Sequence, residues 1–439
     1  MRLTILGGGG FRVPLVYGAL LGSEVSELTL YDTDRTRLDV VRAVIAGLPG
    51  GGPALRIADG LDDALRGADF VFSAIRVGGT AGRVRDERVP LGEGVLGQET
   101  VGAGGVLYGL RTIPVALHIA ERVEALAPGA RVINFTNPAG MVTEAMASVL
   151  GDRVIGICDS PVGLVRRAAR AAGAAPDSVT YDYVGLNHLG WLRRLTGPDG
   201  TDLLASLLAD PAALGSFEEG RLFGAKWLRA LGSLPNEYLH YYYFRRETLA
   251  AAEAAAETRG EFLDQQQGGF FARAAADPAR AHSLWEAARR ERESTYMAEA
   301  RAASGGWERD ACDLDGGGYD RVALALMRAL STGAGERTGG AAPTRLILNV
   351  RNDGTVPELP ADAIIETVCE VDAGGARPLP CAPLGPAELG LMLQLKAVER
   401  AAIEAAVFKD REAALRALAL HPLVDSPAVA ARILERAAM

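Results

Sequence analysis

The chain opens as short apolar runs alternating with amphipathic stretches. Residues 3–6 form an apolar run that ends in Gly7-Gly8-Gly9-Gly10. Residues 14–21 then have the make-up of a helix, with Pro14 in its first turn, where a missing N–H costs least. A second apolar run, 28–31, ends at Asp32 and leads into a helical stretch over 35–46. Residues 70–73, 131–135 and 153–157 read as further strands, with helical stretches at 111–127 and 138–150. Strand and helix alternating in this way predict a parallel, doubly wound sheet.

After about residue 175 the pattern changes. Residues 179–184 and 191–195 read as strands on either side of an Asn187-His188 turn. An alanine-rich helical region follows over roughly 200–335, broken by loops at Gln267-Gly268-Gly269 and Gly316-Gly317-Gly318. The tract 249–258 reads as an ordinary helix rather than low complexity. Strand character returns at 344–350 and 363–371, and the chain is helical from 387 onward. The predicted fold class is α/β: a Rossmann-like doubly wound parallel sheet over 1–175, then a helix-rich α+β domain over 176–439. That is the architecture of lactate and malate dehydrogenases. The second domain would supply substrate, metal and oligomer contacts. At 439 residues, two packed domains are expected in place of a single core.

Composition narrows the function classes. With 49% hydrophobic and 23% charged residues the chain is an ordinary globular one. A net charge of −9 argues against nucleic acid or an anionic membrane as the main partner, so an anionic ligand needs a local basic pocket. No stretch reads as long and uncharged enough to span a bilayer, and the opening strand leaves no room for a signal peptide. The cysteines, Cys158, Cys312, Cys369 and Cys381, have no regular spacing and predict no disulfide framework. The expected location is the cytoplasm.

The first chemistry sits at the N-terminus. A glycine turn between strand and helix lets backbone N–H groups approach a pyrophosphate at the positive end of the helix. Gly7, Gly8, Gly9, Gly10 and Phe11 form that turn, and Asp32 is placed to accept from a ribose 2′-hydroxyl. The acid favours NAD over NADP. Further on, Gly156-Ile157-Cys158-Asp159 puts a thiol and an acid at a strand end. Some thirty residues later comes Gly185-Leu186-Asn187-His188-Leu189-Gly190-Trp191. A thiol and an imidazole beside a nicotinamide fold suggest a metal next to a redox cofactor.

Several motifs occur in order along the chain. They include Gly97-Gln98-Glu99-Thr100, Gly102-Ala103-Gly104-Gly105, Leu110-Arg111-Thr112-Ile113-Pro114 and Asn134-Phe135-Thr136-Asn137-Pro138-Ala139-Gly140. Pro235-Asn236-Glu237-Tyr238-Leu239-His240-Tyr241-Tyr242 and Asn349-Val350-Arg351-Asn352-Asp353-Gly354 complete the set. With the glycine turn and the Cys158 and His188 motifs, they resemble glycoside hydrolase family 4 over nearly the whole chain. Within the family they are most similar to the 6-phospho-β-glucosidase branch.

The resemblance implies NAD and a divalent metal, Mn²⁺ first, in a glycosidase that departs from the usual two-carboxylate scheme. C3 of the sugar is oxidised, C2 is deprotonated, the aglycone is eliminated, water adds, and hydride returns. Cys158 and His188 would be the metal ligands, and substrate hydroxyls and water would fill the remaining positions. Tyr238 would be the C2 base, with Tyr241 and Tyr242 as the neighbours open to the same assignment. Asp159 invites a general-acid role. It stands where β-specific relatives commonly have Asn, and it resembles the α-specific branch. Asn137 is a cofactor or sugar contact, Asn187 a sugar contact, and Glu99 a substrate or metal-shell residue. A 6-phosphate would need guanidinium donors, with Arg83 and Arg259 as candidates. Gly10, Phe11, Arg12 and Met141 depart from the family pattern, which leaves an unphosphorylated glycoside open. A 2-hydroxyacid dehydrogenase is the alternative of another class. The expected partner is a sugar glycoside, and the expected assembly a homodimer or homotetramer.

Overall fold

The computed structural model describes residues 1–309, 318–331 and 344–438. Cys312, Gly316 and Gly317 lie outside the described residues.

The strands are β1 (Arg2–Leu6), β2 (Glu27–Tyr31), β3 (Ala54–Ile57), β4 (Phe70–Ser73), β5 (Arg131–Asn134) and β6 (Val154–Gly156) in the first part of the chain. The later ones are β7 (Thr180–Leu186), β8 (Leu189–Thr196), β9 (Leu234–Pro235), β10 (Thr344–Arg351), β11 (Ile364–Asp372) and β12 (Gly375–Pro378). The first six pair in parallel in the order β3-β2-β1-β4-β5-β6. This is the dinucleotide-fold order, in which the strand sequence reverses between β1 and β4. Strands β1, β2 and β4 are almost wholly buried, as a parallel sheet with helices on both faces requires. β3 escaped the sequence reading because its alanine and arginine do not make an apolar run.

The sheet continues beyond β6, but antiparallel. β10 pairs with β6 at Asn349 and Gly156, then β11, β7, β8 and β9 follow in turn. The two parts of the chain thus share one sheet, and the Asn187-His188 hairpin hangs from its antiparallel part.

Three sequence expectations need correction. Gln267-Gly268-Gly269 is not a loop: it lies inside the helix Arg259–Ala276, held by buried Gln267, Phe270 and Phe271. The helix expected from 111 begins nine residues earlier, at Gly102, because its glycines fit against the backbone of Gln98 and Thr100. That same helix, Gly102–Leu126, is long and apolar enough to cross a bilayer by length and composition, against the expectation that nothing was. Its apolar window is 67% buried within the fold, so its hydrophobicity serves the core.

The helical region closes back on the nucleotide turn. Phe11 packs edge-on against Phe270 at 5.4 Å, and Trp285 Nε1 donates to the Phe11 carbonyl at 2.8 Å. Thr258 caps the helix Arg259–Ala276 in a reciprocal bond with Glu261, which fixes where Arg259 emerges. The tract 249–258, expected to be helical throughout, is helical only to Ala254, where the helix Arg245–Ala254 ends.

Candidate active site

The C-terminal ends of β1, β4, β5 and β6 open into one cavity of about 530 Å³. Ligands of open α/β sheets bind at this edge. Gly7 follows β1 with φ +85°, in the left-handed region, and a Cβ there would sit 2.5 Å from the Ala74 carbonyl oxygen. Only glycine fits. Gly7, Gly10 and Phe11 line the cavity, while Gly8 and Gly9 press against Leu30, Tyr31 and Asp32. Asp32 accepts from the Gly9 N–H at 2.9 Å and the Asp34 N–H at 3.0 Å, so it braces the turn directly. Asn137 also lines the cavity, and its Oδ1 is buried with no hydrogen-bond partner. An open glycine cradle, a braced acid and an orphaned acceptor fit a dinucleotide.

Cys158 and His188 line the same cavity, delivered by unrelated segments. Cys158 follows β6. Burial and the neighbouring carboxylates Glu366 and Asp159 push its thiol well above the usual range, a shift that a bound cation would reverse. His188 is the second residue of the two-residue turn between the paired Leu186 and Leu189. Its φ of +63° is a conformation that favours Gly or Asn, and costs a histidine on the order of 1 kcal/mol. Burial holds its imidazole down to about 3, so the ring is neutral and can be a ligand. No cluster of three or more His, Cys, Asp or Glu suited to a metal occurs among the described residues. Two protein donors, with substrate and water completing the shell, are what this chain can offer.

Tyr238 lies flat on His188, with ring centroids 3.7 Å apart and planes within 6°. It sits in a short 3₁₀ turn, Glu237–Leu239, capped by Asn236. Its hydroxyl accepts from Tyr296 at 3.0 Å, and burial beside Glu237 raises the phenol further. Glu237 is itself pushed up to about 7 by burial and by Glu219. Of the two neighbouring tyrosines, Tyr241 lines the cavity but donates to Glu299, and Tyr242 does not line it.

The cavity wall carries eleven arginines against six carboxylates, so it is basic within an acidic protein. Ion pairing decides which cations remain for a ligand. Glu99 is clamped by Arg76 and Arg83, and these pairs hold its carboxyl below the usual range against the pull of burial. Arg83 also bonds Glu87 at 2.7 Å. Asp159 lies 3.8 Å from Arg12, which also reaches Glu293. Arg259 bonds only the Thr295 hydroxyl and the Arg292 carbonyl. Neither Arg259 nor Arg292 has a carboxylate ion pair among the described residues, and Arg292 Nε is buried without a partner. Burial and neighbouring arginines lower them to about 10 and about 9.

Asn187 is not turned into this cavity. Its amide donates to Glu366, which also accepts from Asn349 and Tyr183. Thr100, Arg292 and Tyr296 were missed in the sequence. Thr100 lies within the Gly97-Gln98-Glu99-Thr100 motif, whereas nothing in the local pattern marks the other two.

Comparison with known proteins agrees with this geometry. Residues 2–174 match the family described as family 4 glycosyl hydrolase, and 183–424 match the family 4 glycosyl hydrolase C-terminal domain. The chain belongs to glycoside hydrolase family 4. It is 32% identical to a probable 6-phospho-beta-glucosidase of Bacillus subtilis, with 99% of this chain and 95% of that one covered. It is 28% identical to a 6-phospho-alpha-glucosidase of Leptotrichia buccalis, over 99% and 96%. A solved 6-phospho-beta glucosidase from Thermotoga maritima, with manganese, NAD⁺ and glucose-6-phosphate, superposes with a TM-score of 0.80 at 25% identity, over 99% and 98%. The family assignment makes the chain a glycosidase, and the dehydrogenase alternative falls.

Proposed function

We propose that this glycosidase hydrolyses 6-phosphoglucosides, 6-phospho-β-glucosides first, in a reaction dependent on NAD⁺ and a divalent metal, Mn²⁺ above others. The supporting observation is that Cys158, His188 and Tyr238, from three separate segments, converge on the cavity that contains Gly7 and Gly10. When bound, NAD⁺ would exchange hydride with C3 of the sugar, and the metal would polarise the oxygens on C2 and C3. The chain's own residues supply the rest. Gly7, Gly10, Asp32 and Asn137 hold the dinucleotide. Cys158 and His188 hold the metal, and Tyr238 takes the C2 proton once a nearby cation lowers its phenol. Arg259 and Arg292, two partly buried cavity cations without a carboxylate partner among the described residues, are assigned to a 6-phosphate, while Arg83 and Glu99 are committed to one another and shape the wall. Cofactor binding is assigned to residues 1–175 and substrate binding to 176–439, in a homodimer or homotetramer.

Asp159 favours a second reading. A carboxyl immediately after Cys158 in the cavity wall could protonate a departing aglycone, which keeps 6-phospho-α-glucosides in view.

The test is turnover of aryl β- and α-glucosides, with and without 6-phosphate, given NAD⁺, Mn²⁺ and reductant. Aglycone release without net NADH, confined to phosphorylated substrates, is expected. Steady NADH accumulation without release would overturn the reading, and equal rates on unphosphorylated sugars would overturn the phosphate. Deuterium at C2 should slow wild type. Tyr238→Phe should lower kcat by about a hundredfold or more if the phenol is the base.

A further inference from the structure

A short chain of hydrogen bonds behind the Asn187-His188 turn reaches His188 through Nδ1. Gln98 Oε1 accepts from the backbone N–H of Thr100 at 2.6 Å and of Val101 at 2.9 Å. Neither donor can become an acceptor, so the amide must present its oxygen and not its NH₂ to them. Thr100 Oγ1 lies 3.2 Å from that oxygen and donates its one proton to it. The hydroxyl therefore meets His188 Nδ1, 2.9 Å away, through a lone pair. With the hydroxyl proton directed to Gln98, this arrangement places the ring proton on Nδ1 and leaves Nε2 its lone pair.

The loop that holds this chain is built for close approach. A Cβ at Gly104 would overlap the Gln98 carbonyl, and one at Gly105 would press on Thr100, so the start of the Gly102–Leu126 helix seats the loop. On the other side of His188, Tyr238 covers one face of the ring. Asn187, next to it, is tied to Glu366 at 3.2 Å. Nε2 is the one polar atom of the ring with no hydrogen-bond partner among the described residues.

We propose that Gln98 and Thr100 are positioning residues that lock His188 in the Nδ1–H tautomer and so hold Nε2 ready as a donor to a divalent cation. The inference rests on the metal reading given under Proposed function. Histidine ligands commonly donate their second ring N–H to a fixed acceptor, which sets ring orientation and raises ligand basicity. Here the acceptor is a hydroxyl whose own proton is already spent on Gln98.

The experiment compares Mn²⁺ affinity of the full-length wild type, Thr100→Val and Thr100→Ser, read from the EPR signal of free Mn²⁺. NAD⁺ affinity and melting temperature are followed in parallel. Thr100→Val should weaken Mn²⁺ binding by about 10–100-fold with NAD⁺ binding unchanged, and Thr100→Ser should return it to within about threefold of wild type. Wild-type affinity in Thr100→Val, or Thr100→Ser as weak as Val, overturns the proposal. A wild type that binds no Mn²⁺ overturns the metal reading instead. In that case, or if Thr100→Val does not fold, the ¹⁵N ring shifts of His188 in metal-free wild type decide, with His188→Gln identifying the signal. The Nδ1–H pattern is expected, and the Nε2–H pattern would sink the proposal.

Discussion

Two turns reach the same cavity by opposite means. At Gly7 a left-handed backbone is filled by the residue that adopts it without cost, and what the turn offers is backbone. At His188 a left-handed backbone is filled by a residue that pays for it, and what the turn offers is a side chain. The first is a common device for bringing N–H groups close to phosphate. The second is held in place by its neighbours: the Leu186–Leu189 pairing, the bond to Thr100 and the stack on Tyr238. Strain tolerated at a residue with chemical capacity marks function more sharply than strain avoided by glycine.

Breaking the second turn should have the largest effect. His188→Ala, or Cys158→Ser, should lower turnover by about a thousandfold and abolish Mn²⁺ binding, while NAD⁺ binding stays at the wild-type value. Isothermal titration with each ligand checks this, and NAD⁺ lost together with Mn²⁺ would mean that the turns are not independent. The mirror experiment is Gly7→Ala. Its Cβ would press on the Ala74 carbonyl, so NAD⁺ should bind about a hundredfold more weakly, with Mn²⁺ affinity kept and stability lower by about 2–3 kcal/mol.

Acid should separate the two regions next. His240 and His421, both in the later part of the chain, are buried and held neutral at about 4 and about 3. Their folded values lie below the unfolded value of 6.5, so the stability they contribute is full above that pH. It is lost as pH falls from 6.5 toward 4, by up to about 3 kcal/mol for a single group. His118, the one histidine before residue 175, is exposed. Chemical denaturation between pH 7.5 and 4.5 should therefore show a steep loss that His240→Gln makes shallower, and an unchanged slope would refute the assignment. The smallest effect belongs to Asp32→Asn. It keeps an acceptor for Gly9 but removes the charge, so NAD⁺ affinity should fall by about tenfold and discrimination against NADP should shrink.

The cofactor turn was legible in the sequence to the residue. Glycines, following helix, second strand and Asp32 are local in the chain, and their order is the signal. The thiol and the imidazole were also visible, through motifs. Less legible was the fate of charged groups. Arg83 looked available for a ligand and is spent on Glu87 and Glu99. Arg292, unremarkable in a helix of mixed charge, lines the cavity without a carboxylate ion pair among the described residues. Asn187 sits in the most conspicuous motif and faces Glu366, and Gln267-Gly268-Gly269 continued a helix through a run that reads as a break.

By itself the sequence determined five of the six parallel strands, their hydrophobic fill, the glycine turn and the positions of Cys158, His188 and Tyr238. Each of these is written in a short window, by periodicity, by a residue that alone fits a dihedral, or by a motif. Only the tertiary structure decided that Tyr238 stacks on His188, that Tyr296 meets Tyr238, that the Thr100 hydroxyl meets His188 Nδ1, and which arginines stay unpaired. Those outcomes depend on partners tens to hundreds of residues away. A buried charge or ring nitrogen is defined by what surrounds it, and its surroundings exist only after the chain has folded.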